Sequence, residues 1–99
     1  MSIFEAYDTE FGSLAANITA DMASLQSGTL SGPDAVKDKE RMVGALLGQS
    51  QDLLKQMEVE VRTQDGAARK KLGEKVAQYR KALAVHKAEL AVVVSKNAK

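Results

Sequence analysis

The sequence predicts an all-α protein, specifically an antiparallel up-down-up three-helix bundle. Three long stretches repeat apolar residues at intervals of three and four, which is the spacing of one helix face. Turns rich in glycine or polar residues separate these stretches. Aromatic residues make up only 4% of the chain and there is one proline, a composition that disfavours a β-sandwich. Because short connections make long neighbouring helices antiparallel, the three apolar stripes are expected to meet in one core.

The first helix is predicted over residues 3–27. Its apolar residues follow one another at intervals close to a heptad repeat, and they are Phe4, Tyr7, Phe11, Leu14, Ile18, Met22 and Leu25. The glycine-containing stretch 27–34 then interrupts the pattern. Pro33 suits the first turn of a new helix, where its missing N–H costs no hydrogen bond.

The second helix is predicted over residues 34–62. Leu46 and Leu53 widen an apolar stripe formed by Val36, Val43, Leu47, Ser50, Leu54, Met57 and Val61. Near its end, Glu58, Glu60 and Arg62 are two residues apart, as they would be on a strand. The helical stripe runs through Met57 and Val61 here, so the three charged side chains are expected to lie mostly toward solvent at the end of the helix. Glu58 and Arg62 are four residues apart, a spacing that predicts an ion pair contributing a few tenths of a kcal/mol.

Gly44 and Gly48 stand four residues apart within this second helix. Each glycine costs about 0.8–1 kcal/mol of helix propensity relative to alanine. Two interpretations remain open. The pair permits close approach of another helix or a partner, or the two glycines are tolerated at exposed positions.

The third helix is predicted over residues 66–94, and either Thr63 or Asp65 is expected to cap it. Its apolar stripe is the most regular of the three, and it contains Leu72, Val76, Tyr79, Leu83, His86, Leu90 and Val93. His86 is the only histidine and the chain has no cysteine, so a metal site would lack further ligands of these types. We therefore expect His86 to be a half-buried polar member of the core whose ring bonds a neighbour or water, and we predict no cofactor.

Length and charge limit the other possibilities. The 99 residues predict a single three-helix domain spanning 1–99. The net charge of +1 conceals an asymmetry, because residues 1–31 carry −4, residues 32–68 carry −2 and residues 69–99 carry +7. The acidic first third and the basic last third are expected to attract one another if they pack side by side.

Several functional classes are disfavoured by what the sequence lacks. It contains no catalytic motif and no nucleophile placed near a base, so we predict that the protein is not an enzyme. The absence of cysteine favours a reducing compartment, and the acidic start is not a secretory signal. No apolar run is long enough to span a bilayer. No nucleic-acid recognition motif or stacking aromatic residue accompanies the basic residues, which are Arg69, Lys70, Lys71, Lys75, Arg80, Lys81 and Lys87.

Three segments together resemble the Vti1 family of vesicle transport v-SNAREs, of the Qb type. The segment LLKQMEVEVR (53–62) resembles the family stretch with a Met-acid-x-Glu-x-Arg core. The segment KLGEKVAQYRKALAVHKAEL (71–90) is similar to the helix that follows, and IFEAYDTEFGSLAANI (3–18) is similar to the family's first helix. The family usually has a larger apolar residue where His86 stands.

This resemblance implies an N-terminal three-helix domain similar to the Habc domain of syntaxins. It implies a regulatory or sorting role in which the domain binds protein partners, such as an ENTH-domain clathrin adaptor, while the SNARE motif and a C-terminal anchor follow this domain. The expected location is the cytoplasmic face of Golgi, endosomal or vacuolar membranes, with residues 1–99 as a soluble, monomeric, cytosolic piece. The resemblance implies that the turn after the second helix and part of the first helix face the adaptor. The predicted partner-binding residues are Glu58, Glu60, Arg62, Gln64, Asp65 and Arg69.

Two other functions are also compatible with the sequence. The near-heptad spacing also suits a stand-alone helical interaction module that self-associates as a coiled coil. The bases of residues 69–87 also suit an anionic surface, to which binding would weaken with added salt.

Overall fold

The computed structural model describes residues 2–98, and these form three helices. Helix α1 spans Ile3–Ser27, α2 spans Gly32–Arg62 and α3 spans Gly66–Asn97. No strand occurs within residues 2–98, so the predicted all-α three-helix bundle is confirmed. Helix α2 begins two residues before the predicted start at residue 34, and α3 continues three residues beyond residue 94.

Side-chain contacts between the helices establish an up-down-up arrangement. Asp8 of α1 contacts Lys75 near the start of α3, and Gln26 at the end of α1 bonds Glu89 near the end of α3. Helices α1 and α3 are therefore parallel. In contrast, Asn97 at the end of α3 bonds Glu40 near the start of α2, so α2 runs antiparallel to both. The bundle measures 51 × 22 × 17 Å, and its long dimension matches the roughly 48 Å expected for α3 alone.

The core is the seam where the three predicted stripes meet. Every residue of the predicted stripes is buried or half-buried. Thirteen apolar side chains are buried, namely Phe4, Phe11, Ile18, Met22, Leu25, Val43, Leu47, Leu53, Leu54, Met57, Val76, Leu83 and Val93. The 3.6-residue helical period thus places these side chains on the facing sides of the three helices.

Local residues explain where α1 and α2 begin and where α1 ends. Ser2 caps α1, because its hydroxyl accepts a hydrogen bond from the Glu5 amide at 3.1 Å. Gly28 ends α1 in the left-handed conformation (φ +69°), which glycine adopts without a Cβ penalty. Pro33 lies in the first turn of α2, as predicted.

The close-approach interpretation of Gly44 and Gly48 finds no support within the chain. A Cβ atom added to either glycine would meet no heavy atom within 4 Å among the neighbouring helices. Both glycines are exposed, so they lie on open helix surface in residues 2–98. In the same range, no helix combines the length and the apolar character needed to cross a membrane.

Ser50 is the one polar residue within the buried seam of the described chain. It is 1% exposed, and its Oγ has no hydrogen-bond partner among residues 2–98. A buried hydroxyl without a partner costs on the order of 1–3 kcal/mol. Ser50 therefore lowers the stability of a core that is otherwise apolar.

Ser50→Ala is accordingly expected to raise the free energy of unfolding by about 1 kcal/mol, measured by urea denaturation. The matched control is Ser13→Ala on α1, where the exposed hydroxyl donates to the Thr9 carbonyl oxygen at 3.3 Å. This control removes a solvated hydroxyl and should gain only the small helix-propensity difference. A loss of stability in Ser50→Ala would show that the hydroxyl has a partner in solution.

Candidate functional site

The connection between α2 and α3 consists of residues 63–65 and is stabilised by local hydrogen bonds. The Thr63 hydroxyl donates to the Glu60 carbonyl oxygen at 2.7 Å, and the Gln64 side-chain amide donates to the Thr63 hydroxyl at 3.2 Å. The backbone amides of Thr63 and Gln64 close the end of α2 on the carbonyls of Glu60 and Val61. Gly66 then opens α3 with φ +55°, a left-handed conformation that suits glycine.

Asp65 occupies the predicted capping position of α3, but the predicted hydrogen bond from its side chain is absent. Asp65 is the residue at the N-terminal cap of α3, with extended backbone angles. Its side chain makes no capping hydrogen bond, and its carbonyl oxygen accepts from the Arg69 amide at 3.4 Å. The Thr63 hydroxyl bonds back into α2, so Thr63 does not cap α3. The first turn of α3 therefore keeps amide groups available to solvent or a partner.

A groove lies between the end of α2 and the start of α3 and contains three of the six predicted site residues. Its volume is about 210 Å³. Val61, Gly73 and Val76 supply its apolar surface, and the charged residues along it are Glu58, Arg62, Arg69 and Arg80. The structure therefore brings Glu58, Arg62 and Arg69 together, although Arg69 lies seven residues beyond Arg62 in the sequence.

Glu60, Gln64 and Asp65 lie outside this groove. Glu60 is two residues from Glu58, which rotates its side chain by about 200° around α2 and places it on a different face. Gln64 and Asp65 belong to the turn, where Gln64 is half-buried and Asp65 is exposed. Whether these three residues bind a partner stays a prediction.

The predicted ion pair between Glu58 and Arg62 is wrong. Glu58 instead pairs with Arg80 of α3, across the groove. The guanidinium of Arg80 approaches Glu58 from the facing helix, so the acid joins two helices and not two turns of α2. The Arg80 side chain is 58% exposed and that of Glu58 is 30% exposed, so this surface pair contributes at most about 1 kcal/mol.

A second polar cluster joins α1 to α3, and of its members the sequence analysis considered only Lys75 for binding, as one of the bases of residues 69–87. One carboxylate oxygen of Asp8 accepts from the Lys75 ammonium, and the other accepts from the Tyr79 hydroxyl. The Tyr79 ring stacks on Phe11 with ring centroids 4.4 Å apart and planes inclined by 12°. Lys75 is therefore not part of a free basic face. The ion pair between Asp8 and Lys75 is an instance of the expected attraction between the acidic first third and the basic last third of the chain.

The same cluster shifts the pKa values of its three groups. Burial raises the pKa of Asp8, but the hydrogen bonds from Lys75 and Tyr79 outweigh it and hold that pKa below its ordinary value. The hydrogen bond to Asp8 raises the pKa of Lys75. Burial, together with the hydrogen bond to Asp8, raises the pKa of Tyr79. All three groups are thus held in the protonation states that suit the contact at neutral pH.

His86 contacts a neighbour, in agreement with its interpretation as a half-buried polar member of the core. Its Nδ1 lies 3.0 Å from one carboxylate oxygen of Glu89. The other oxygen of Glu89 accepts from the Gln26 amide at 3.3 Å, which ties this pair to α1. Within residues 2–98, no three side chains of histidine, cysteine, aspartate or glutamate are grouped so that they would hold a metal ion.

Comparison with known families identifies the domain. The family described as the vesicle transport v-SNARE protein N-terminus matches residues 1–93, which is nearly the whole chain. No curated protein and no solved structure matches the chain. The family match confirms the resemblance seen in the three sequence segments. The chain therefore belongs to the vesicle transport v-SNARE family, a non-catalytic family, and its role lies in vesicle transport.

Proposed function

We propose that this chain is a regulatory or sorting domain of a vesicle transport SNARE, which acts by binding proteins such as an ENTH-domain clathrin adaptor. The family match over residues 1–93 is the observation that carries the proposal. Other SNAREs would be partners through the SNARE motif that follows this domain in the family. The proposed places of action are Golgi, endosomal and vacuolar membranes. There the domain, as a monomer, would direct the sorting of its SNARE or regulate SNARE assembly.

The turn end of the bundle is the proposed binding surface, comprising Glu58, Glu60, Arg62, Gln64, Asp65 and Arg69. Arg62 and Arg69 support this assignment most directly, because both are exposed and both line the groove between α2 and α3. Each guanidinium offers a rigid set of donors that suits carboxylates on a partner protein. Neither makes an ion pair with another residue in the range 2–98.

An affinity capture from cytosolic extract tests this function. Residues 1–99 serve as bait, and bound proteins are identified by mass spectrometry. We expect an ENTH-domain adaptor to bind the unmodified bait, and the double variant Arg62→Glu/Arg69→Glu to lose at least 90% of it.

The control for this experiment is Lys70→Glu/Lys71→Glu, which makes the same change in charge on neighbouring exposed residues outside the groove. This control should retain the partners. Circular dichroism establishes that every bait is folded. Recovery of no trafficking protein by a folded bait would refute the proposed function, and equal loss in both variants would refute the proposed surface.

A further inference from the structure

The side of α3 that faces away from the bundle is unusually apolar over residues 77–98, and we call the exposed residues of this range the outer face of α3. Leu83 is buried in the core, whereas Val85, two residues later, is rotated by about 200° around the helix and is 57% exposed. Val92 lies two turns beyond Val85 on the same line and is 54% exposed. Ala88, between them, is also exposed. Helices α1 and α2 therefore leave an apolar line of α3 uncovered.

The outer face of α3 carries positive charge and no negative charge. Its sixteen residues include six alanines, three valines and four bases, and none of them is acidic. The bases are Arg80, Lys81, Lys87 and Lys96. Arg80 pairs with Glu58 of α2, whereas the three lysines form no ion pair with any residue in the range 2–98. The face thus combines three uncompensated lysines with exposed apolar side chains.

Glu89 is the only acid in residues 77–98, and it does not belong to the outer face. It is half-buried, and one of its carboxylate oxygens lies 3.0 Å from His86 Nδ1. The other oxygen accepts from the Gln26 amide of α1 at 3.3 Å. Because both oxygens are engaged on the side of α3 that faces α1, Glu89 forms no ion pair with the lysines of the outer face.

The three lysines are distributed along and beside the apolar line. Lys81 lies on the line itself, seven residues before Ala88. Lys87 flanks it toward α2, since it lines a depression together with Gln51, and Lys96 flanks it toward α1, since it lines a depression together with Gln26. The long stem of a lysine follows apolar surface while its ammonium group stays in a polar layer. The lysines can therefore contact anionic groups while the valines contact an apolar phase.

We infer that the outer face of α3 binds the surface of a membrane that contains anionic lipids, with α3 parallel to the membrane plane. Val85, Ala88 and Val92 contact the boundary between headgroups and acyl chains, and the three lysines pair with the anionic headgroups. The face is about 32 Å long at 1.5 Å per residue. This inference goes beyond the proposed function, because the purified domain and lipid are sufficient for the contact.

The residue types on this face favour a lipid surface over a protein partner. Protein interfaces depend mostly on large anchor residues, such as tryptophan and tyrosine, that fill pockets of the partner. The outer face of α3 has no aromatic residue, and its apolar side chains are the short ones of alanine and valine. A fluid lipid surface requires no complementary pocket, and it supplies many negative charges at once.

Sedimentation with vesicles tests the inference. The vesicles contain phosphatidylcholine with about 30% phosphatidylserine, and the control vesicles contain phosphatidylcholine alone. We expect residues 1–99 to bind only the anionic vesicles in 50 mM salt, and the affinity to fall at least tenfold in 300 mM salt.

Charge variants locate the contact on α3. Lys81→Gln/Lys87→Gln is expected to weaken binding at least tenfold, because each lysine near an anionic surface contributes a factor of about five. Lys37→Gln/Arg41→Gln removes the same net charge from exposed positions of α2 and is expected to weaken binding less than threefold. Circular dichroism establishes that each variant is folded.

A second pair of variants tests the apolar contact without changing any charge. Val85→Ser/Val92→Ser is expected to weaken binding at least threefold, since it removes the side chains that enter the lipid boundary. Met42→Ser/Val59→Ser removes two apolar side chains of α2 that are 51% and 49% exposed, and it should leave the affinity unchanged.

Several results would overturn this inference. A folded domain that does not sediment with anionic vesicles in 50 mM salt has no membrane-binding face. Equal losses in the two charge variants would indicate attraction through net charge alone, and equal losses in the two serine variants would exclude the apolar line of α3. Tighter binding to a labelled 18-residue polyglutamate than to the vesicles would assign the lysines to an acidic protein. None of these outcomes requires an adaptor, so the extract experiment tests the proposed function separately.

Discussion

Ile18→Ala is expected to lower the free energy of unfolding by about 2–5 kcal/mol, the largest effect of any substitution considered. Ile18 is 1% exposed and lies at the middle of the buried stripe of α1. Its truncation removes three methyl or methylene groups from the seam and leaves a cavity that long, rigid helices close only in part. Since small domains are marginally stable, a loss of this size removes a large fraction of the total.

Urea denaturation followed by circular dichroism measures this effect, with the midpoint and slope fitted together. Ile3→Ala is the matched control, because the same atoms are removed from a side chain that is 59% exposed at the start of α1. The control should change stability by less than about 0.5 kcal/mol. Similar losses in both variants would contradict the placement of Ile18 in the core.

Asp8→Asn is expected to lower the free energy of unfolding by about 1–2 kcal/mol at pH 7. The aspartate accepts from both Lys75 and Tyr79, whereas asparagine has one carbonyl oxygen and no charge. The Lys75 side chain is 43% exposed, so solvent screening keeps the loss well below that of a buried ion pair. Because Asp8 is the charged contact between α1 and α3 at this end of the bundle, the variant should also loosen the packing of α1 there.

The contribution of Asp8 is also expected to depend on pH in a defined direction. The pKa of Asp8 in the folded protein lies below its ordinary value of 3.8. The unfolded chain therefore takes up this proton first as the pH falls. The stabilisation is fully present above about pH 5 and is lost as the pH falls below the ordinary value and through the lower pKa of the folded state.

Unfolding midpoints at pH 7 and pH 2.5 test this dependence. The fall in stability between the two values should be smaller in Asp8→Asn than in the unmodified protein, since the variant cannot titrate there. Asp52→Asn, at an exposed position of α2 with no ion pair in the range 2–98, is the control and should keep the full pH dependence. An identical pH dependence in all three proteins would show that Asp8 contributes no linked proton.

Much of the fold was predictable because helical periodicity is a local property of the sequence. The spacing of Phe4, Phe11 and Ile18 defines the buried face of α1, and the stripes of α2 and α3 do the same. The seam position of Ser50 was also predictable, whereas its unpaired hydroxyl depends on the atoms that surround it. Gly28 and Pro33 marked the first turn through their restricted or unusual backbone preferences.

The candidate site was predictable only in part, because it depends on contacts between helices. Glu58 and Arg62 have the correct spacing for an ion pair within α2, yet Glu58 forms its ion pair with Arg80 of α3. The partner of Asp8 could be expected only as some base of the last third. The period of a helix shows which side chains share a face, but the axial offset between two packed helices determines which charges meet.

The sequence by itself determined the helices, their buried faces, the family and the excess of positive charge in the last third. The tertiary structure decided how that charge is used. Packing places Lys75 against α1, where Asp8 neutralises it, and leaves Arg69 and Lys87 on the open side of the α2–α3 pair. The basic residues differ in this way because successive residues lie about 100° apart around a helix and so face different surroundings. Only the packed bundle shows which side of each helix faces another helix and which side faces solvent.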